Sequence, residues 1–505
     1  MIHRRTAAAT LLSAVLVLTG CTAPPPAPSG TSTPTGEKVS AALEPFYHQV
    51  LRWSSCDKGF QCATAKAPLD WADPGEASIE LALIRKPASG KAQGSLLVNP
   101  GGPGASGVEF VRDSLDYAVD ATLRKHFDIV GFDPRGVNES TPVSCYSDPA
   151  VLDRFLYSIP KSPFGTEGYV DELNREFDAF GQSCLEHTGA LLGHVDTVSA
   201  ARDLDLLRAV LGDEKLNYLG YSYGTYLGAT YAGLYPQNTG RLVLDGAIDP
   251  TLSGFDVVKA QAAGFESALR AYLKDCLSKK GCPFSGTVDD AIAAIERLAA
   301  GIESHPLTAS DGRKLGTSAL FYAMILPLYS ESTWKYLSDL FVTLARGQAD
   351  YAFQLADSYN SRKPDGSYAD NTTEAFIAVN CLDYAPDADY ATLKEQAAEL
   401  IAVAPVMGRA MAYSPSCSGW PFPSTRDHEP IAAAGSAPIL VVGTTNDPAT
   451  PYAWARGLAA QLQNGHLITY RGEGHTAYNK SNSCVNDAVD DFFVDGTVPA
   501  SDPEC

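Results

Sequence analysis

The chain has 505 residues, 45% of them hydrophobic and 19% charged, with a formal net charge of −21. That length exceeds an ordinary single domain and predicts two domains or one fold with a large insertion, while the composition excludes general disorder. So acidic a chain has no electrostatic footprint for nucleic acid and is repelled by anionic membrane surfaces, which sets nucleic-acid binding aside.

In chain order, His3, Arg4 and Arg5 form a basic start and residues 6–18 a short apolar run. The run is too short and wrongly flanked for a transmembrane helix and reads as an export signal. It ends in LTGC, Leu18 to Cys21, which resembles the bacterial lipobox, whose cysteine is lipidated and becomes the mature N-terminus. Residues 1–21 are therefore expected to be a lipoprotein signal peptide; plain secretion with cleavage near Ala23 is the alternative, and Arg4-Arg5 also fits a twin-arginine signal. The chain is thus expected outside the cytoplasm, lipid-anchored to the outer face of the membrane or secreted. Residues 22–38, rich in Pro, Ser and Thr, read as an extended tether.

Beyond the tether, short apolar runs bounded by Gly, Pro or Asp predict strands at 79–84, 95–99, 127–132, 217–220, 241–245, 439–443 and 466–470. Helical patterns at 197–211 and 223–234 lie between them, and this alternation predicts an α/β fold with a mostly parallel central sheet. Residues 250–437 read as helical, notably 257–277, 289–300, 333–345 and 390–402, before strands return. We expect a core of residues 39–249 and 438–505 with a helical lid, 250–437, inserted between strands over their carboxyl ends. There are eleven cysteines, and setting Cys21 aside leaves an even ten, as expected of structural disulfides outside the cytoplasm. Nearness in sequence pairs Cys56 with Cys62, Cys145 with Cys184, Cys276 with Cys282, Cys381 with Cys417 and Cys484 with Cys505, although sequence alone does not determine connectivity. No C-x-x-C or clustered histidine argues for a metal, and no cofactor is expected.

The stretch Gly220-Tyr221-Ser222-Tyr223-Gly224 runs from a predicted strand into a predicted helix, the context of a nucleophile elbow. A serine hydroxyl needs a base to take its proton and an acid to orient that base. On this architecture both follow the serine, each just past a later strand. Asp447 ends the strand of PILVVGTTND, and His475 follows the strand of HLITYRGEGH; Asp245 and Asp249 are rival acids. An oxyanion needs preorganised backbone donors, and Asn99-Pro100-Gly101-Gly102-Pro103-Gly104 directly follows a strand. The amides of Gly102 and of Tyr223 are the expected pair. The loop is no phosphate cradle, because it lacks G-K-[ST] and Pro103 removes a donor.

Together NPGGPGASG, FDPRGVNES, GYSYGTYLG, RLVLDGAIDP, NDPATP and GEGHTAY resemble the α/β-hydrolase exopeptidases of the prolyl-aminopeptidase type, and most of all the actinobacterial secreted tripeptidyl aminopeptidases. The resemblance spans most of the mature chain but is thin in the lid. It implies an α/β-hydrolase fold and a monomeric serine peptidase that releases short peptides from substrates with a free N-terminus, with Ser222 as nucleophile, Asp447 as orienter and His475 as base. Asn99-Pro100 stands where proline aminopeptidases begin this loop with His-Gly-Gly, which points to the tripeptidyl branch. Arg135 is expected to be a structural positioning residue paired with a carboxylate. Holding a substrate ammonium calls for lid carboxylates, and the candidates are Asp383, Glu331 and Glu374. The competing readings are an esterase or lipase with the same triad and a noncatalytic surface binding lipoprotein.

Overall fold

The computed structural model describes residues 28–424 and 426–505. The signal segment, Cys21 and the start of the tether lie outside the described residues. A ten-stranded sheet organises the chain. Its strands are β1 (Pro28–Thr31), β2 (Arg52–Asp57), β3 (Phe60–Pro68), β4 (Ser78–Lys86), β5 (Ser95–Asn99), β6 (Asp128–Phe132), β7 (Leu216–Tyr221), β8 (Thr239–Asp245), β9 (Ile439–Asn446) and β10 (Gly465–Glu473), in the order β1-β2-β3-β4-β6-β5-β7-β8-β9-β10. From β6 through β10 all neighbours are parallel, and β1 to β4 add an antiparallel wing.

The parallel strands are apolar on both sides because each face carries its own core. Leu97, Val130, Tyr218, Leu242 and Val441 pack on one side with helices Thr197–Leu211 and Tyr223–Leu234. Their alternating neighbours Leu96, Val98, Ile129, Leu219, Val243 and Leu440 face helices Gly107–Asp113 and Ser483–Asp495. The predicted strands correspond to β4 through β10. The sequence reading missed β1, β2 and β3: β3 alternates alanine with polar residues, and β2 is largely exposed. Asp57 faces Phe60 across Lys58-Gly59, with Gly59 at φ +74° as so tight a hairpin requires. Contrary to the expected tether, the chain joins the fold from Pro28 onward, because β1 pairs with the β2 edge and Glu37 binds Arg208 at 2.7 Å.

Between β8 and β9 the described chain is helical, with Gly254–Leu277, Val288–Ser304, Thr317–Leu328, Trp334–Ala345, Asp350–Tyr359, Thr372–Asp383 and Tyr390–Val403 as its longer helices. They build a separate core around Leu269, Tyr272, Leu320, Phe341 and Phe353. Helix Pro149–Tyr157, from before the expected insertion, joins this core through Leu152 and Leu156, and its Asp153 binds Arg362 at 2.7 and 2.8 Å. Among the described residues, five disulfides join Cys56–Cys62, Cys145–Cys184, Cys276–Cys282, Cys381–Cys417 and Cys484–Cys505.

Buried charge braces the loops at the carboxyl ends of the strands. Arg135, after β6, is fully buried; it grips both oxygens of Asp203 at 2.7 Å and donates to the carbonyls of Pro68, Leu69 and His194. Asp133 accepts from Ser106 Oγ and from the Val108 and Glu139 amides, which ties the loop after β5 to the loop after β6. Burial pushes the carboxyls of Asp133, Asp245 and Asp383 up to about 6.

Arg135→Met strands the buried Asp203 charge and three carbonyls, so equilibrium denaturation should read a loss of about 3–5 kcal/mol. The raised carboxyls give a second expectation. Between about pH 4 and 6 the folded chain holds protons that the unfolded chain has released, so their contribution to stability is lost as pH rises through about 6. The melting temperature followed by circular dichroism at constant ionic strength should therefore be higher at pH 5 than at pH 7.

Candidate active site

β7 ends at Tyr221, and helix Tyr223–Leu234 begins two residues later, so Ser222 alone occupies the corner at φ +54°, ψ −124°. A serine there is strained, and its flanks leave no room for larger residues. A Cβ at Gly220 would stand 2.4 Å from the Gly224 carbonyl, and one at Gly224 would stand 2.8 Å from Asn99 Oδ1. The corner is held by the Ser222 amide, which donates to the Asp245 carbonyl at 2.9 Å, and by Thr225, whose amide and hydroxyl donate to the Ser222 carbonyl.

Asp447 follows β9 and is fully buried. Its Oδ1 accepts the amides of Ala449 and Thr450 at 2.9 and 2.8 Å, and its Oδ2 accepts that of Thr476 at 3.2 Å. These donors fix the carboxylate's rotation. His475 Nδ1 meets both oxygens at 2.9 and 3.0 Å, which places the ring proton on Nδ1 and leaves Nε2 with its lone pair. The ring is 12% exposed; Tyr329 stands edge-on to it at 5.5 Å, and the Tyr329 carbonyl accepts the His475 amide at 2.9 Å. Of the rival acids, Asp249 is bonded to Thr251 and Gln461. Asp245 is fully buried and accepts the amides of Ala477 and Tyr478 at 2.8–3.0 Å.

After β5, Asn99 Oδ1 accepts the Gly101 amide at 2.9 Å, which leaves Gly102 as the next amide along the loop. Gly101 and Gly102 have φ of +99° and +106°, and a Cβ on Gly101 would stand 2.9 Å from Ser222 Cβ and 3.1 Å from the Tyr223 nitrogen. The loop therefore touches the elbow as only glycine allows. Tyr223 opens its helix, so its amide has no carbonyl within the helix to bond.

The helical segment after β8 reaches these corners at three points. Gly264 packs on Pro448, where a Cβ would stand 2.5 Å from the carbonyl; Gly104 packs on helix Thr372–Asp383, with a Cβ 2.7 Å from the Thr372 carbonyl; and Tyr329 lies against His475. The three expected ammonium anchors have different surroundings. Glu374 is buried and accepts the amides of Cys145 and Tyr146 at 2.8 and 3.1 Å. Asp383 is 1% exposed and accepts the Thr197 amide at 3.0 Å and the Thr197 hydroxyl, which also meets Tyr223 Oη. Both are corrected here: Glu374 is buried with its Oε1 on two backbone amides, and Asp383 is buried with both oxygens on Thr197, so each is engaged in bracing the fold. Glu331 is exposed, two residues beyond Tyr329, with no ion pair among the described residues. Tyr329 and Thr450, whose hydroxyl lies 3.3 Å from His475 Nδ1, were missed by sequence reasoning; no motif marks Tyr329, while Thr450 falls inside NDPATP. Among the described residues no group of His, Cys, Asp and Glu is arranged to hold a metal ion.

Residues 94–288 match the family model described as alpha/beta hydrolase fold, and residues 404–505 match the one described as TAP-like protein. The chain is 36% identical to serine protease Hip1 of Mycobacterium tuberculosis over 98% of this chain and 96% of that protein. It is 38% identical to a protein named Carboxylesterase B of the same species over 100% and 99%. To the tripeptidyl aminopeptidase of Streptomyces lividans it is 31% identical, over 90% and 86%. With relatedness running along nearly the whole chain, and a serine elbow between parallel strands, the protein belongs to the α/β-hydrolase family and is a serine hydrolase with a TAP-like C-terminal segment.

Proposed function

We propose that the protein is an exported serine peptidase that releases short peptides, tripeptides foremost, from free N-termini. His475 Nε2 takes the proton of Ser222 Oγ as the oxygen attacks the scissile carbonyl carbon. The Gly102 and Tyr223 amides hold the oxyanion, and Asp447 stabilises the imidazolium. The imidazolium gives its proton to the leaving amine as the C–N bond breaks, which leaves an acyl-enzyme. Water, deprotonated by His475, then attacks the acyl carbon, and Ser222 recovers its proton as the peptide leaves. Residues 250–437 act as the lid, which limits how much substrate lies on the acyl side of the cut, the side that carries the free N-terminus.

The observation that carries a peptidase over an esterase is Glu331, an exposed carboxylate with no ion pair among the described residues, two positions along the lid from the tyrosine that packs on His475. An acyl pocket for an ester has no use for a charge there, whereas a substrate ammonium does. The named peptidase relatives support the same reading, and the carboxylesterase relative keeps the ester alternative open to test. Five disulfides support a location outside the cytoplasm. We further propose that Cys21 carries a lipid anchor at the outer face of the membrane.

Release of a chromophore from tripeptides with free and with acetylated N-termini, beside short-chain acyl esters, tests the reading. Cleavage should require the free amine and vanish in Ser222→Ala; ester turnover indifferent to an amine would overturn it. Glu331→Gln should raise KM for free-amine tripeptides by about tenfold to a hundredfold, the worth of one charge-assisted bond, and leave ester turnover unchanged.

A further inference from the structure

The loop after His475 is held in a conformation that its sequence does not favour. Thr476, β-branched, has φ +66° and Asn479 has φ +59°. Such backbone persists only where the surroundings impose it. Here Asp447 takes the Thr476 amide, Asp245 takes those of Ala477 and Tyr478, and Asn479 Nδ2 donates to the carbonyls of Asp116 and Tyr117. The Thr476 hydroxyl donates to the His475 carbonyl at 2.5 Å and accepts from Lys480 Nζ at 2.6 Å. That ammonium sits 4.3 and 4.2 Å from the ring centres of Tyr117 and Tyr221. It is a caged cation: one proton goes to Thr476, two aromatic faces flank it, and no carboxylate lies within 4 Å among the described residues. It nevertheless lies in the fields of Asp245 and Asp447.

We propose that Lys480 is a positioning residue for proton transfer: its fixed ammonium pins the histidine loop through Thr476 and offsets the Asp245 carboxylate, so that His475 works against one net negative charge rather than two. This rests on reading His475 as the base. Burial lowers the ammonium to about 8, so it remains charged through the neutral range, and it is among the influences that favour ionised Asp245 against burial. The other groups facing the cluster are Asp447 after β9, Tyr221 on β7 and Tyr117 near helix Gly107–Asp113, with Asp120 and Asp490 reached through Tyr478 Oη. Burial holds both tyrosines above the ordinary phenol range, so they stay neutral while the acid limb of activity is traversed. That limb belongs to the coupled cluster rather than to one residue.

The test is the pH dependence of Ser222 labelling by a fluorophosphonate probe, which needs the serine–histidine step but no particular substrate. Removing the cation favours the imidazolium, so Lys480→Met should move the acid-limb midpoint up by about half to one pH unit. Asp245→Asn should move it down, and Lys480→Arg should keep the wild-type midpoint. Midpoints of Lys480→Met and Asp245→Asn that coincide with wild type, in folded protein that labels at Ser222, overturn the inference and leave the catalytic reading standing; a purely structural role would lower the rate at every pH in that way. Should Lys480→Met fail to fold, Lys480→Gln decides: an upward shift supports the inference and a wild-type midpoint overturns it. Absence of labelling at Ser222 in the wild type overturns the reading of the site and the inference with it.

Discussion

Asp245, the last residue of β8, joins two loops that the chain keeps far apart. Its carbonyl accepts the Ser222 amide, and its carboxylate accepts the amides of Ala477 and Tyr478. One residue thus sets the distance between the serine corner and the loop that carries His475. The register of β7, β8 and β9 makes this possible: Tyr221 lies beside Asp245, so β7 and β8 finish at the same level, while β9 lies beside Asp245 at Val442 and runs on to Asn446 before the turn that carries Asp447. A carboxylate buried without counter-charge is costly, and the peptide donors together with the Lys480 field are what make it tolerable here.

The same economy of backbone donors recurs around the site. Asp447, Asp133, Glu374 and Asp383 each hold backbone amides of the surrounding turns and helix starts, while Arg135 satisfies three carbonyls and Asp203 at once. Loops at strand ends have no ladder to satisfy their peptide groups, so buried side chains do it. These groups are therefore structural in the first instance. Ser222 and Thr476 can hold left-handed backbone because such braces surround them.

The helical segment meets the sheet where glycine lets backbone approach backbone. Gly264 lies on Pro448, and Gly104 lies on helix Thr372–Asp383. The disulfide Cys381–Cys417 ties the end of that helix to the chain that leads back to β9. A covering element fixed this closely can restrict what reaches the serine without contributing a reacting group of its own.

Much of this was legible in sequence because it is local. Buried parallel strands appear as short apolar runs, and an elbow needs small residues on both sides of its serine; β4 through β10, Ser222 and the glycines after Asn99 could be read from neighbours a few positions away. Chain order added Asp447 and His475, and short spacing added the disulfide pairs. What depended on partners far along the chain could not be read. β3 is a strand because β2 and β4 flank it, not because alanine and glutamine prefer one, and Pro28–Thr31 joins the sheet only because β2 offers an edge. Glu374 and Asp383 had the composition of ligand anchors until folding brought Cys145, Tyr146 and Thr197 onto their oxygens. A carboxylate's availability is set by which donors arrive first in three dimensions, and that lies in the packing rather than in the order of residues.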